Sequence, residues 1–210
     1  MNIVMTGFVT DNQDPDNLGR VKIKMYLSEV ETESNWLPIV AGFAGDDKGI
    51  YCLPDIDDFV LAVFIDNTYQ KGYILGSTWT QDSPLPTSEE NSDADLNGDG
   101  NNALRMIRTK AGQRIILDDT DGSEKIQILN ADATSRIELD AENELINLET
   151  EQGISLSAKT AVSITAEELS VELDKDLTVS CKNLGFETSG DSSIKGDGGI
   201  ALEGKGISLN

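Results

Sequence analysis

The feature that most limits what this chain can fold into is a repeat of paired apolar residues in its second half. Ile126/Ile128, Ile137/Leu139, Ile146/Leu148, Ile154/Leu156, Val162/Ile164, Val171/Leu173, Leu177/Val179, Leu184/Phe186, Ile200/Leu202 and Ile207/Leu209 make ten pairs, each with one residue between its members. The step between pairs is eight from 146 to 154 and from 154 to 162. It drifts between six and eleven nearby, and the longer gap after Phe186 contains only Ile194. Alternation with period two argues for strand, and an internal period this short indicates a β-solenoid or fibrous β-structure. Each pair gives one short strand with two side chains on one face, and the polar residues between pairs turn the chain onto the next level.

A strand with two inward aliphatics cannot make a core alone. Its apolar stripe, its backbone donors and acceptors, and its edges all have to be satisfied by something else. Three copies wound around one axis satisfy all of them, each layer of a triangular prism taking one strand from each chain. The predicted inward core is Ile146, Leu148, Ile154, Leu156, Val162, Ile164, Val171, Leu173, Leu177 and Val179, and ten such layers stack to roughly 50 Å.

Charge fits that object. The chain carries 38 acidic and 16 basic residues and no histidine, for a net charge of −22. An acidic exterior keeps a narrow β-structure soluble and blocks edge-to-edge pairing. It also argues against a nucleic-acid partner, because few cations are present to displace counterions from phosphates, and it disfavours an anionic membrane surface. The two cysteines, Cys52 and Cys181, lie too far apart in sequence to suggest a disulfide framework or zinc knuckle. Reduced, buried thiols are the expectation. No basic, apolar leader opens the chain and no segment reaches the length of a membrane span, so assembly in the cytoplasm without a signal peptide is expected.

Texture divides the chain. Residues 1–80 hold both tryptophans, all four tyrosines and four of the five phenylalanines. The runs "NIVMTGFVT", "GRVKIKMYL", "NWLPIV", "GIYCLP", "DFVLAVFI" and "GYILGS" read as six short strands of a small closed barrel. Residues 81–103 are acidic, proline-containing and almost without apolar side chains, which marks a linker. Residues 104–129 follow as a neck hairpin, and 130–210 as the repeat. The fold class is therefore all-β, a barrel followed by a triple-stranded intertwined β-helix.

The order "DPDNLGRVKIKMYL", "SNWLPIVAGFAGDDKGIYCLPDIDDFVLAVFIDN", "GYILGSTW" resembles the OB-fold module of phage baseplate assembly protein V and of the type VI secretion spike VgrG. "ALRMIRTKAGQRIILDDTDGSEKIQIL" looks like the neck of that family. The resemblance implies a homotrimeric, membrane-piercing central spike of a contractile tail or injection system, delivered to a target cell envelope. No hub domain precedes the barrel, which implies a separate hub protein. The histidine pair that holds iron at some phage spike tips is absent. A PAAR-like tip protein is the implied partner instead, contacted by Ile200, Leu202, Ile207 and Leu209.

Other chemistry finds little support in the sequence. "DADLNGDGNNAL" offers a weak calcium-loop candidate in Asp93, Asp95, Asn97 and Asp99. The positions where a bidentate acid belongs are Leu104 and Met106, so a solvated acidic loop is favoured. "DDTDG" at 118–122 reads as a hairpin turn. No histidine-based nucleophile is possible, and no cofactor is expected. Two alternatives remain: a trimeric glycan-binding or depolymerase tail protein, disfavoured by the lack of sugar-stacking aromatics after residue 80, and an OB-fold nucleic-acid module. For the second, Trp36, Phe43, Tyr51, Phe59, Phe64 and Tyr73 are the available rings. With five bases against twelve acids over residues 1–80, most of these rings are expected in the barrel core or at trimer contacts.

Overall fold

The computed structural model describes residues 3–27, 30–86, 102–201 and 203–206. Every element among them is β. The chain divides into two units, Met1–Ser155 and Leu156–Asn210.

The first unit begins with the barrel. Strands β1 (Ile3–Asp11), β2 (Arg20–Leu27), β3 (Val30–Glu33), β4 (Leu37–Pro38), β7 (Phe59–Phe64) and β8 (Gly72–Ser77) form one sheet in the order β3-β2-β1-β7-β8, with β4 pairing β2. The sheet closes through the short segment after β4. Leu37 pairs Val21 on one side, while Ile39 bridges Ile74 on the other and the Val40 N–H donates to the Ile74 carbonyl at 2.8 Å. Period-two alternation fixes which side chains enter. Val9, Val21, Ile23, Met25, Leu37, Val60, Ala62, Phe64 and Ile74 are fully buried and make the core. Bulges in β1 at Thr10 and in β8 at Leu75 supply the added twist that closing a small barrel needs. Gly72 sits where the chain must approach the Val63 carbonyl so closely that a Cβ would collide with it.

Two expected features differ. The run "GIYCLP" is not a barrel strand: only Lys48–Gly49 (β6) pairs, with Ala44–Gly45 (β5), and residues 50–54 line a groove instead. Strand β3, "VETE", carries no apolar alternation. It is held at the sheet edge by Lys24–Glu31 and Lys22–Glu33 ion pairs at 3.8 and 3.6 Å.

The loop from β1 to β2 is organised by one carboxylate. Asp14 accepts from the Arg20 guanidinium at 2.6 and 2.9 Å and from the N–H groups of Asp16, Leu18 and Arg20. Arg20 also reaches Asp16. The cage requires left-handed backbone at Asn17 (φ 54°) and Gly19 (φ 67°), which Asn and Gly tolerate best. The Arg20 guanidinium holds the Asp14 carboxyl well below the ordinary carboxylate range, against the opposing effect of partial burial, and the three N–H donors add to it. A depressed folded pKa contributes stability that is complete above the unfolded value near 3.9 and lost as pH falls through the folded one. Asp14→Asn is therefore expected to lower the thermal midpoint of the barrel at pH 7. The gap between variant and wild type should narrow progressively below about pH 4, as read by circular dichroism melts across pH.

The first unit ends with a five-stranded antiparallel meander, β9 (Leu104–Arg108), β10 (Arg114–Asp118), β11 (Lys125–Leu129), β12 (Ser135–Asp140) and β13 (Leu145–Thr150), in chain order. Tight turns join the strands, with Gly112, Gly122, Ala133 and Glu144 in left-handed conformations. "DDTDG" is one of these turns: Asp118 accepts from the Thr120 N–H at 3.0 Å and Gly122 carries φ 73°. The antiparallel pairing does not stop at residue 129 but runs on to Thr150.

The second unit contains no paired strand among its described residues. Bends fall at 159–160, 167, 174–175, 182, 189–190, 197–198 and 204–205, following one at 151–152, and the chain runs unbent between them. Each bend is polar or glycine-containing, as solvated corners should be.

Candidate assembly surface

The meander places nine aliphatic residues in two rows across one face. Register sets Ile107 opposite Ile115, Ile115 opposite Ile128, Ile128 opposite Ile137 and Ile137 opposite Leu148. The second row runs Arg105, Leu117, Ile126, Leu139 and Ile146. Every aliphatic in both rows is exposed in the single chain. Directly opposed β-branched and leucine side chains form mutually supporting cross-strand pairs, and two contiguous rows make an apolar patch of the kind monomeric proteins seldom leave uncovered.

The opposite face carries a polar ladder that continues from the buried Ile116 and lies beside the buried Leu129. Gln127, Glu138 and Asn147 stand opposite one another on β11, β12 and β13. Glu138 accepts from the Gln127 amide at 2.7 Å and from Asn147 at 3.2 Å. Burial alone would raise the Glu138 pKa, yet it is lowered, because these hydrogen bonds and the charges of Arg136 and Lys125 outweigh desolvation. Arg136 lies 3.0 Å from Glu149 one row away. A slip of one residue would put this ladder on the aliphatic face, so the ladder specifies register.

Beyond Thr150 the same side-chain pattern continues without a sheet. One aliphatic pair falls within each unbent stretch: Ile154/Leu156, Val162/Ile164, Val171/Leu173, Leu177/Val179 and Leu184/Phe186. The stretch 191–196 fills the gap in the repeat with Ser192 and Ile194 at the paired positions. Among the described residues from 152 onward no backbone-to-backbone hydrogen bond forms, and every one of their side chains is exposed. The ten predicted core residues, Ile146 to Val179, range from 54 to 76% exposed. Nothing within one chain covers them.

The structure thus presents these residues as one repeating pattern without bringing them into contact. Ile200 is likewise exposed, whereas Leu202, Ile207 and Leu209 lie outside the described residues, as do Asp93, Asp95, Asn97 and Asp99. Ile107, Ile115 and Leu117 belong to the rows but were absent from the predicted core. Their signal was the same alternation in "RMIR" and "RIILD".

The expectation about the cysteines is corrected. Cys52 and Cys181 are both exposed thiols, not buried ones. Cys52 lines the groove beside the barrel, and Cys181 lies on the unbent stretch that carries Leu177 and Val179. Of the six barrel rings considered for stacking, only Phe64 is in the core, edge-on to Tyr69 at 5.6 Å between centroids. Trp36 lies under the Lys22 ammonium at 5.2 Å. Phe59 packs on Phe8 at 4.9 Å on the outside of the barrel, and Phe43, Tyr51 and Tyr73 are exposed. The outward placement of Phe59 and Tyr73 follows from parity: on β7 and β8 they alternate with the core residues Val60, Ala62, Phe64 and Ile74.

Among the described residues no group of three or more acidic or cysteine side chains is arranged to hold a metal, and no helix is long and apolar enough to cross a membrane. Residues 5–79, spanning nearly all of the barrel, match the family model described as the type VI secretion system/phage-baseplate injector OB domain. No curated protein matches the chain. Two motifs within the matched range have physical roles: Asp14 through Arg20 form the carboxylate cage, and Ser34 accepts from the Ile23 N–H at 3.0 Å to pin the turn before Trp36. The barrel is therefore similar to the OB domain of phage-baseplate and type VI secretion injectors, a likeness that supports a structural role among baseplate and tail components.

Proposed function

We propose that three copies of this chain assemble into a central spike, in which the barrels form a collar and the residues beyond Thr150 wind into a triple-stranded β-helix. The observation that carries this reading is the second unit itself. Its described residues, with regular polar bends, an apolar pair in nearly every stretch and no backbone-to-backbone hydrogen bonds, leave donors, acceptors and aliphatics without partners in the chain. Leaving such groups without partners away from water is costly, and other copies of the same repeat meet every need at once.

In the assembly the aliphatic pairs point to the axis, the two rows of the meander continue the same core, and the carboxylates face outward. The work of such an object is mechanical. A prism with every strand paired has no free edge to unzip under axial load, and unfolding requires three intertwined chains to separate together. Contraction of a tail sheath then drives the needle into a target envelope. The reading assigns no catalytic residue. It places a separate hub protein at the collar and a PAAR-like tip protein against Ile200 and the last apolar pairs, in a particle assembled in the cytoplasm.

Native mass spectrometry of the full chain tests this. The expected species is three times 22.7 kDa, surviving detergent that dissociates ordinary oligomers. A monomer at micromolar concentration contradicts it.

A further inference from the structure

The barrel has two kinds of surface, and the difference is one of charge. Around β2 and β3 the outward residues are ion-paired: Arg20 with Asp14 and Asp16, Lys22 with Glu33, and Lys24 with Glu31. Across β7, β8 and β1 as far as Phe8 the outward positions carry no charge, Asp11 lying beyond the bulge beside Lys22. Val4, Phe8, Phe59, Leu61, Tyr73 and Leu75 cover that face, with Val4 opposite Val63, Phe8 opposite Phe59 and Val63 opposite Tyr73. A second uncharged surface is the open groove of about 450 Å³ beside the barrel, where Leu18, Val40, Ile50, Tyr51 and Leu53 are among the lining side chains and no lining residue is charged. Tyr51 stands largely clear of its neighbours at its rim.

We infer that the barrels join head to tail, the uncharged face of β1, β7 and β8 on one copy seating in the uncharged groove of the next. This rests on the three-copy reading above and names the collar contact within it. The occupant is a second copy for two reasons. Residues 1–80 carry five bases and twelve acids, so copies brought together through their charged faces repel, while these two surfaces meet without like-charge cost. A cyclic trimer also needs two different patches per copy that complement each other. Their placement selects a ring: β8 contributes Tyr73 and Leu75 to the face, and Ile74, Gly76 and Ser77 to the groove. The patches lie on neighbouring sides of the barrel, where a heterologous contact closes on itself, whereas patches on opposite sides would build a filament.

The test uses the full chain with Cys52→Ser and Cys181→Ser, adding Thr6→Cys at the centre of the face and Tyr51→Cys at the groove, alone and together. A short bis-maleimide is applied to the native protein, and products are separated after full denaturation, with native mass recorded in parallel. The expected result is a covalent dimer and trimer ladder in the double variant only. A trimeric mass with no ladder, with linkage inside one chain, or with a ladder from either single variant overturns the head-to-tail contact while leaving the trimer standing. A monomeric mass overturns the three-copy reading and this contact with it.

Discussion

Ile164→Asp should remove the detergent resistance of the assembly and lower its dissociation temperature steeply, while Ser163→Asp, one residue away, should leave both nearly unchanged. Ile164 and Val162 share one side of the stretch between the bends at 159–160 and 167, and Ser163 lies on the other. In a threefold core the substitution brings three carboxylates to one level with no cation among the paired positions. Each unpaired buried charge costs several kcal/mol, so the layer loses on the order of 10 kcal/mol. Burial of the three lost aliphatics adds about 1.5–3 kcal/mol apiece. On the outward side an added carboxylate joins a surface that is already acidic. Melting followed by gel mobility in detergent separates the two outcomes, and equal tolerance of both substitutions would mean that parity does not decide which side chains are covered.

The second large effect is in the barrel. Phe64 is the largest fully buried side chain in the core, at the end of β7, and its ring meets Tyr69 edge-on. Phe64→Ala is expected to destabilise the barrel by about 3–5 kcal/mol, from lost apolar burial plus a cavity that a closed sheet cannot collapse around. Chemical denaturation followed by tryptophan fluorescence should show a barrel transition moved to lower denaturant, with Trp36 and Trp79 as reporters. The transition of the repeat, which contains neither tryptophan, should stay in place. A variant as stable as wild type would mean that Phe64 does not anchor the core.

How much of this was legible in the sequence depended on whether a residue's role is set by its near neighbours. The pairs Ile126/Ile128, Ile137/Leu139 and Ile146/Leu148 were readable as strands because strand alternation is local, whereas beyond Thr150 the polar corners recur as bends but no strand forms within one chain among the described residues. The barrel strands β1, β2, β7 and β8 were readable for the same reason. Strand β3 was not, because "VETE" is held by ion pairs from Lys22 and Lys24 that exist only once β2 lies beside it. "GIYCLP" misled in the opposite direction: its alternation is real, but its side chains line a groove rather than a core. The polar ladder of Gln127, Glu138 and Asn147 could not be seen, since those residues are distant in sequence and meet only through the register of two hairpins. Which of the rings enter the core could not be read from residue type, because parity along β7 and β8 turns Phe59 and Tyr73 outward and Phe64 inward.

Amide hydrogen exchange along residues 156–206 of the assembled protein is the decisive measurement. Within one chain these backbone groups have no backbone partners among the described residues, so protection there can come only from pairing with other copies. A triple-stranded helix predicts protection across the unbent stretches comparable to that of β10 to β12, broken by faster exchange at the bends. Exchange at the rate of an unstructured peptide along the whole segment, in a sample of trimeric mass, would contradict it.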